Sequence, residues 1–160
     1  SQAANHSIVW HAINLADATF ATAVGGASGR ARRNRAIRRS VVLAVEQAAI
    51  NGPIKSLFGR TRPSTVTDHP HELRVPLTSS FPSGHASAGA CAATLLSRDL
   101  GVAPLWWSIA GAVAWSRVHV GAHHASDLIG GAFVGRSLGL WAGVMWPPPT
   151  TTTGSAPAAD

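Results

Sequence analysis

Small and apolar residues collect in five stretches of the chain, separated by short polar or charged breaks. Residues 7–29 are mostly apolar, with Asp17 their only carboxylate, and Gly25, Gly26 and Gly29 mark the close of the stretch. A basic run over 30–39 reads as the connection to a second apolar stretch over 40–58, which Glu46 and Lys55 interrupt. Arg62-Pro63 stops that stretch, because proline disfavours helix at the residue before it. Residues 64–82, punctuated by Pro70, Pro76 and Pro82, read as a loop. An Ala-rich helical stretch over 83–97 follows, then a polar break over 98–101 and apolar stretches over 102–120 and 126–146. Period-two alternation is absent and helix formers dominate. The expected fold is therefore all-α: a bundle of about five helices over residues 1–146, with a Pro/Thr/Ala-rich unstructured tail over 147–160.

Composition turns this bundle toward a membrane. Apolar residues make up 46% of the 160 and charged residues 12%, about half the charge of an ordinary soluble domain. A disordered or highly charged chain is excluded. What remains is a helical domain with a very apolar surface or a small membrane protein. A bilayer core asks for about 20 apolar residues per helix, and every stretch but the one over 83–97 approaches that length. Six of the thirteen basic residues lie in the run over 30–39, which the positive-inside rule assigns to the cytoplasm. Alternate crossings then put Lys55, Arg62, Ser83, His85, Arg117 and His123 near the outer face of a multi-pass protein of the cell membrane. Glu46, costly in lipid, is expected to face the bundle interior. The single cysteine, Cys91, excludes an internal disulfide framework and a multi-cysteine zinc site; it reads as a buried small residue. A nucleic-acid partner would rest on the arginine run alone, and the lack of tyrosine weakens it; none is expected.

Three polar clusters suit phosphoryl transfer, which needs positive charge on the phosphate oxygens and an in-line nucleophile. Arg62 and Arg117 offer forked hydrogen bonds to phosphate, and Lys55 adds a point charge. Ser83-Gly84 falls at an expected helix N-terminus, where amide groups and the helix dipole favour an anion. His123 and Asp127, four residues apart, share one helical face. The carboxylate can hold one imidazole nitrogen while the other attacks phosphorus, and Asp127 can cap the last helix as well. His85 is left to protonate the leaving oxygen and later to activate water.

In order and spacing the clusters read KxxxxxxRP from Lys55 to Pro63, PSGH from Pro82 to His85, and SRxxxxxHxxxD from Ser116 to Asp127. This pattern resembles the type 2 phosphatidic acid phosphatase (PAP2) superfamily, which also includes bacterial acid phosphatases and vanadium haloperoxidases. The resemblance implies a PAP2/haloperoxidase-like helical core and the same roles: His123 as nucleophile through a phosphohistidine, Asp127 as its orienter and His85 as general acid. Lys55, Arg62, Ser83, Gly84 and Arg117 would bind phosphate, with no metal or other cofactor. Short members with several apolar segments act on polyprenyl phosphates and pyrophosphates, phosphatidate or phosphatidylglycerophosphate; polyprenyl-phosphosugar phosphates are further candidates. The expected partners are thus a lipid phosphate substrate and the membrane. Membrane members generally show six helices, against the five counted here. The alternatives are a soluble broad-specificity acid phosphatase and a catalytically silent membrane scaffold.

Other polar residues rank lower. His124 should point away from its neighbour His123, and His119 suits packing. Arg60 and Arg74 could reach a substrate head group or simply be solvated. His69 and His71, beside Asp68 and Glu72, form a weak metal-binding pattern.

Overall fold

The computed structural model describes residues 7–63 and 78–148. Among them are five α-helices and no strand: α1 Ile8–Val24, α2 Gly26–Ala49, α3 Gly84–Leu100, α4 Ala103–His119 and α5 Ala125–Met145. A π-helical turn, Ile50–Ile54, extends α2. The all-α expectation and the helix count hold. The HxH pair, Arg74 and most of the expected tail lie outside the described residues.

Helix α3 is the axis of the bundle. It is buried at Gly84 and throughout 86–96, because its small side chains let α5, α4 and α2 approach together. Its Ala88, Cys91, Ala92, Leu95 and Leu96 join Trp10 of α1, Leu43 of α2 and Ala110 of α4 in one core. The seam between α3 and α5 is closest. Gly131, Gly135 and Gly139 recur every four residues on α5, and a Cβ on Gly135 would stand 2.0 Å from the Ser87 carbonyl oxygen. Only a residue without a side chain permits that approach.

The basic run is not a connection between helices. Helix α1 ends at Gly25, whose φ of +67° turns the chain, and the whole run forms the first half of α2. Arginine is a good helix former, and the charges of Arg32, Arg38 and Arg39 are met by carboxylates from distant segments. Arg38 bonds Asp99 at 3.3 Å and the Trp146 carbonyl at 2.8 Å. Arg39 bonds Asp99 at 2.9 Å and Asn14 at 2.8 Å, and pairs with Asp17. Arg32 reaches Asp17 at 2.6 Å. The Arg38, Arg39 and Asp99 side chains are at most 2% exposed. This network ties α1 and α2 to the C-terminal ends of α3 and α5. The opposite end of the bundle gathers the N-termini of α3 and α5 and the end of α2.

The long apolar stretches also resolve more narrowly than their sequence implies. Those over 7–29 and 102–120 become helices of 17 residues each. Among the described residues, α5 is the helix long and apolar enough to cross a bilayer. Its Ile129, Phe133, Trp141 and Val144 are exposed, as are Ile8, Val9, Leu15 and Phe20 of α1. Glu46 faces the interior as expected, accepting a bond from Ser87 Oγ, and Cys91 is buried.

Candidate active site

His123 lies in the short connection between α4 and α5 and is 2% exposed. The turn is held by the Arg117 carbonyl, which accepts from the amides of Ala122 at 2.9 Å and His123 at 3.2 Å. Arg62 Nη1 approaches His123 Nε2 at 3.3 Å and donates to the Ala122 carbonyl at 2.9 Å. A guanidinium only donates, so Nε2 carries the lone pair and Nδ1 the proton. Nδ1 lies 3.5 Å from Ser80 Oγ and 3.6 Å from Asp127 Oδ2. The Ser80 hydroxyl in turn donates to Asp127 Oδ2. A serine thus stands between the histidine and the carboxylate that sequence spacing pairs directly.

Asp127 is fully buried and fully bonded. Oδ2 also accepts from the His124 amide at 2.9 Å, and Oδ1 accepts from Arg60 Nη1 at 2.9 Å. The first of these bonds makes it part of the N-terminal cap of α5, so the carboxylate caps the helix and backs the histidine together. Its backbone carbonyl accepts from the Ser83 amide at 3.0 Å, which joins the N-termini of α3 and α5. Ser83 is the N-cap of α3, its Oγ accepting from the Ala86 amide. Gly84 and His85 are the first two residues of that helix, Gly84 buried and His85 half-buried.

Lys55, at the end of the π-helical turn, is 4% exposed and donates to Asn51 Oδ1 at 3.0 Å. Burial pushes its amine down to about 8, with Arg62 acting the same way and Glu46 opposing. Burial likewise pushes His123 down to about 4, helped by the positive charges of Arg62 and Lys55 and opposed by Asp127. His123 is therefore neutral at pH 7, with its lone pair facing a cluster of cations.

Lys55, Arg62, Ser83, Gly84, His123 and Asp127 thus gather at one end of the bundle. The Arg117 side chain bonds Ser116 Oγ at 3.0 Å rather than a member of the cluster; its carbonyl is what holds the His123 turn. Two contributors escape a reading of the motifs. Ser80 is wholly buried beside His123, and Arg60, a head-group candidate by sequence, is committed to Asp127 and Ser126. Their only sequence signal is nearness to Ser83 and to Arg62.

Comparison with known proteins gives the same direction. Decaprenylphosphoryl-5-phosphoribose phosphatase of Mycobacterium tuberculosis, in two strains, is 37% identical over 89 residues, which cover 54% of this chain and 48% of the relative. The chain thus spans about half the length of the curated relatives it matches. A transmembrane PAP2-type phosphatidylglycerolphosphate phosphatase from Bacillus subtilis superposes with a TM-score of 0.51 at 26% identity, over 69% of this chain and 58% of that one. The family model of the PAP2 superfamily matches residues 36–149, the span that holds every member of the cluster, and the chain belongs to that superfamily.

Proposed function

We propose that this chain is a membrane lipid phosphatase that hydrolyses a phosphate monoester or pyrophosphate of a lipid through a phosphohistidine. The observation that carries the reading is the buried His123, with Nε2 toward Arg62 and Nδ1 toward Ser80 and Asp127. Phosphate oxygens entering the cluster draw Arg62 and Lys55 to themselves, and the Nε2 lone pair is released to attack phosphorus. As the N–P bond forms, the P–O bond to the lipid breaks and His85 gives its proton to the leaving oxygen. The imidazole, now positively charged, is stabilised through Ser80 and Asp127. Water then attacks phosphorus, His85 takes its proton back, and phosphate leaves with His123 neutral again. Gly84 at the N-terminus of α3 completes the phosphate site, Arg117 joins it only by turning from Ser116 toward the phosphate, and the scheme calls on no metal ion. Among lipids, the M. tuberculosis relative favours a polyprenyl-phosphosugar phosphate.

The exposed apolar faces of α1 and α5 and the membrane neighbour support a multi-pass arrangement; the basic run over 30–39 favours an orientation with the catalytic end outward and the arginine network inward. A membrane-impermeant thiol reagent should reach Leu57→Cys, an exposed position beside Lys55, from outside intact cells; protection until the cells are opened would reverse the orientation. The activity itself is tested by phosphate release from detergent-purified protein. The panel is a polyprenyl-phosphosugar phosphate, polyprenyl pyrophosphate, phosphatidate and p-nitrophenyl phosphate, with His123→Ala as control. Lipid preference, lost in the variant with helical content intact, is the expected result. Better turnover of the soluble ester would favour a broad acid phosphatase, and turnover surviving in His123→Ala would refute the nucleophile.

A further inference from the structure

A ladder of polar side chains leads from the interior of α2 to the phosphate cluster, and the hydrolytic scheme above makes no use of it. Ser87 Oγ on α3 donates to Glu46. Gln47 Nε2 donates to Glu46 Oε2 at 2.8 Å and to the Gly84 carbonyl at 3.3 Å. Asn51 Nδ2 donates to the Gln47 carbonyl at 3.0 Å and to Gln47 Oε1 at 3.1 Å. Asn51 Oδ1 accepts from Lys55 Nζ at 3.0 Å.

The ladder has one orientation. An ammonium only donates, so Asn51 must present its oxygen to Lys55 and its amide nitrogen to Gln47. Gln47 must then present oxygen to Asn51, which leaves its own nitrogen for Glu46 and the Gly84 carbonyl. A flip of either amide would set two donors against each other in a buried place. Gln47, Asn51 and Lys55 follow at four-residue intervals across the π-helical turn, where Gly52 departs from helical geometry (φ −96°, ψ −106°). Such turns recur at functional sites, and this one falls where the lysine enters the cluster.

We propose that Asn51 is a positioning residue for the phosphate-binding lysine, oriented by Gln47 so that the Lys55 ammonium is held in register with the Gly84 end of α3. The inference rests on the phosphatase reading for its purpose. Among the described residues, the charged and titratable groups that act on Lys55 are Glu46 from α2, Arg62 beyond the π-helical turn and His123 from the turn before α5.

Lys55 is the sole lysine of the chain, so its amine can be titrated without turnover. The full chain in detergent is acylated across a pH series, and modification of the Lys55 peptide is read by mass spectrometry. The wild-type midpoint is expected near 8. Asn51→Leu removes the acceptor of the charged form and should lower the midpoint by about one pH unit. Asn51→Asp, nearly isosteric, puts a carboxylate there and should raise it by a similar amount. The alkaline limb of kcat/KM should move the same way in each variant. Unchanged midpoints in both variants would overturn the proposal, and Asn51→Asp decides if Asn51→Leu does not fold. Midpoints that move while the alkaline limb stays would overturn the link to phosphate binding. Wild-type protein that releases no phosphate, with midpoints moving as expected, would fault the hydrolytic reading and support the ladder.

Discussion

Gly135→Ala is the sharpest test of how the scaffold holds the site. The added Cβ would lie 2.0 Å from the Ser87 carbonyl oxygen, 2.6 Å from its carbon and 2.8 Å from the Ser87 Cα. An unstrained carbon–oxygen contact needs roughly 3.3 Å, so α5 and α3 must part by about 1 Å or more. The obstacle is helical backbone, which cannot swing aside as a side chain would. Overpacking of this kind costs about 1–3 kcal/mol, and the backbone obstacle argues for the upper end. Replacing a helical glycine returns about 1 kcal/mol. The net loss is then about 2 kcal/mol, or a fall in Tm of roughly 4–8 °C for a chain of this size. Activity should suffer more than stability. The Ser83 amide and the Asp127 carbonyl meet across the same seam, and a shift of about 1 Å between reacting groups can cost about 100-fold in rate. Thermal unfolding in detergent and phosphate release measure the two effects. Gly139→Ala, whose Cβ would meet Thr94 Cβ at 3.1 Å, should be milder, and Gly111→Ala on α4, with nothing within 4 Å, should be neutral or stabilising. A Gly135→Ala protein with the melting temperature and turnover of Gly111→Ala would refute the reasoning.

At the other end of the bundle, Asp99→Ala leaves Arg38 and Arg39 buried beside a lost carboxylate. Breaking a buried pair costs about 3–5 kcal/mol, so the variant should melt far below wild type or fail to accumulate; a change below about 1 kcal/mol would mean that water enters the network. The pH profile of kcat/KM reports the free enzyme. Lys55 is charged below about 8 and loses its charge as pH rises through that value, so kcat/KM should fall on the alkaline side. Lys55→Arg keeps the charge and should carry that limb beyond pH 9 even if the rate drops; a limb unmoved in Lys55→Arg would assign it to another group. His123 is deprotonated above about 4, so an acid limb near 6 should follow the substrate's phosphate and shift with the substrate.

The parts of this molecule that sequence alone revealed are those written locally. The helix-forming stretches, the nearness of His123 to Asp127 and the glycine at the start of α3 need no knowledge of distant segments; the shared helical face does not hold, because α5 begins at Ala125 and His123 stands in the turn before it. The parts that stayed hidden depend on partners far along the chain. Six arginines in ten residues look like a solvated connection because a count of charge treats each as facing water. Burial of Arg38 and Arg39 becomes affordable only when Asp17 and Asp99 fold against them. Ser80 illustrates the same limit at the site: one hydroxyl in a loop has no period, and its role appears only when α5 brings Asp127 beside it. Glycines 131, 135 and 139 stand four residues apart, but nothing local separates a helix seam from a small-residue composition, and the seam appears only once α3 packs against them.

These hidden elements explain why the site is placed where it is. Asp127 and Asp99 perform matching tasks at opposite ends of the bundle, each a buried carboxylate that binds arginine and ties the ends of helices together. Between them the glycine seam brings α3 and α5 into backbone contact, so the two ends are joined by packed helix rather than by loops. The cluster assembled from the turn before α5, the N-terminus of α3 and the end of α2 needs that rigidity, because each supplies only part of the charge. Loosening the seam or the distant arginine network should therefore reach His123 without altering a single residue that touches it.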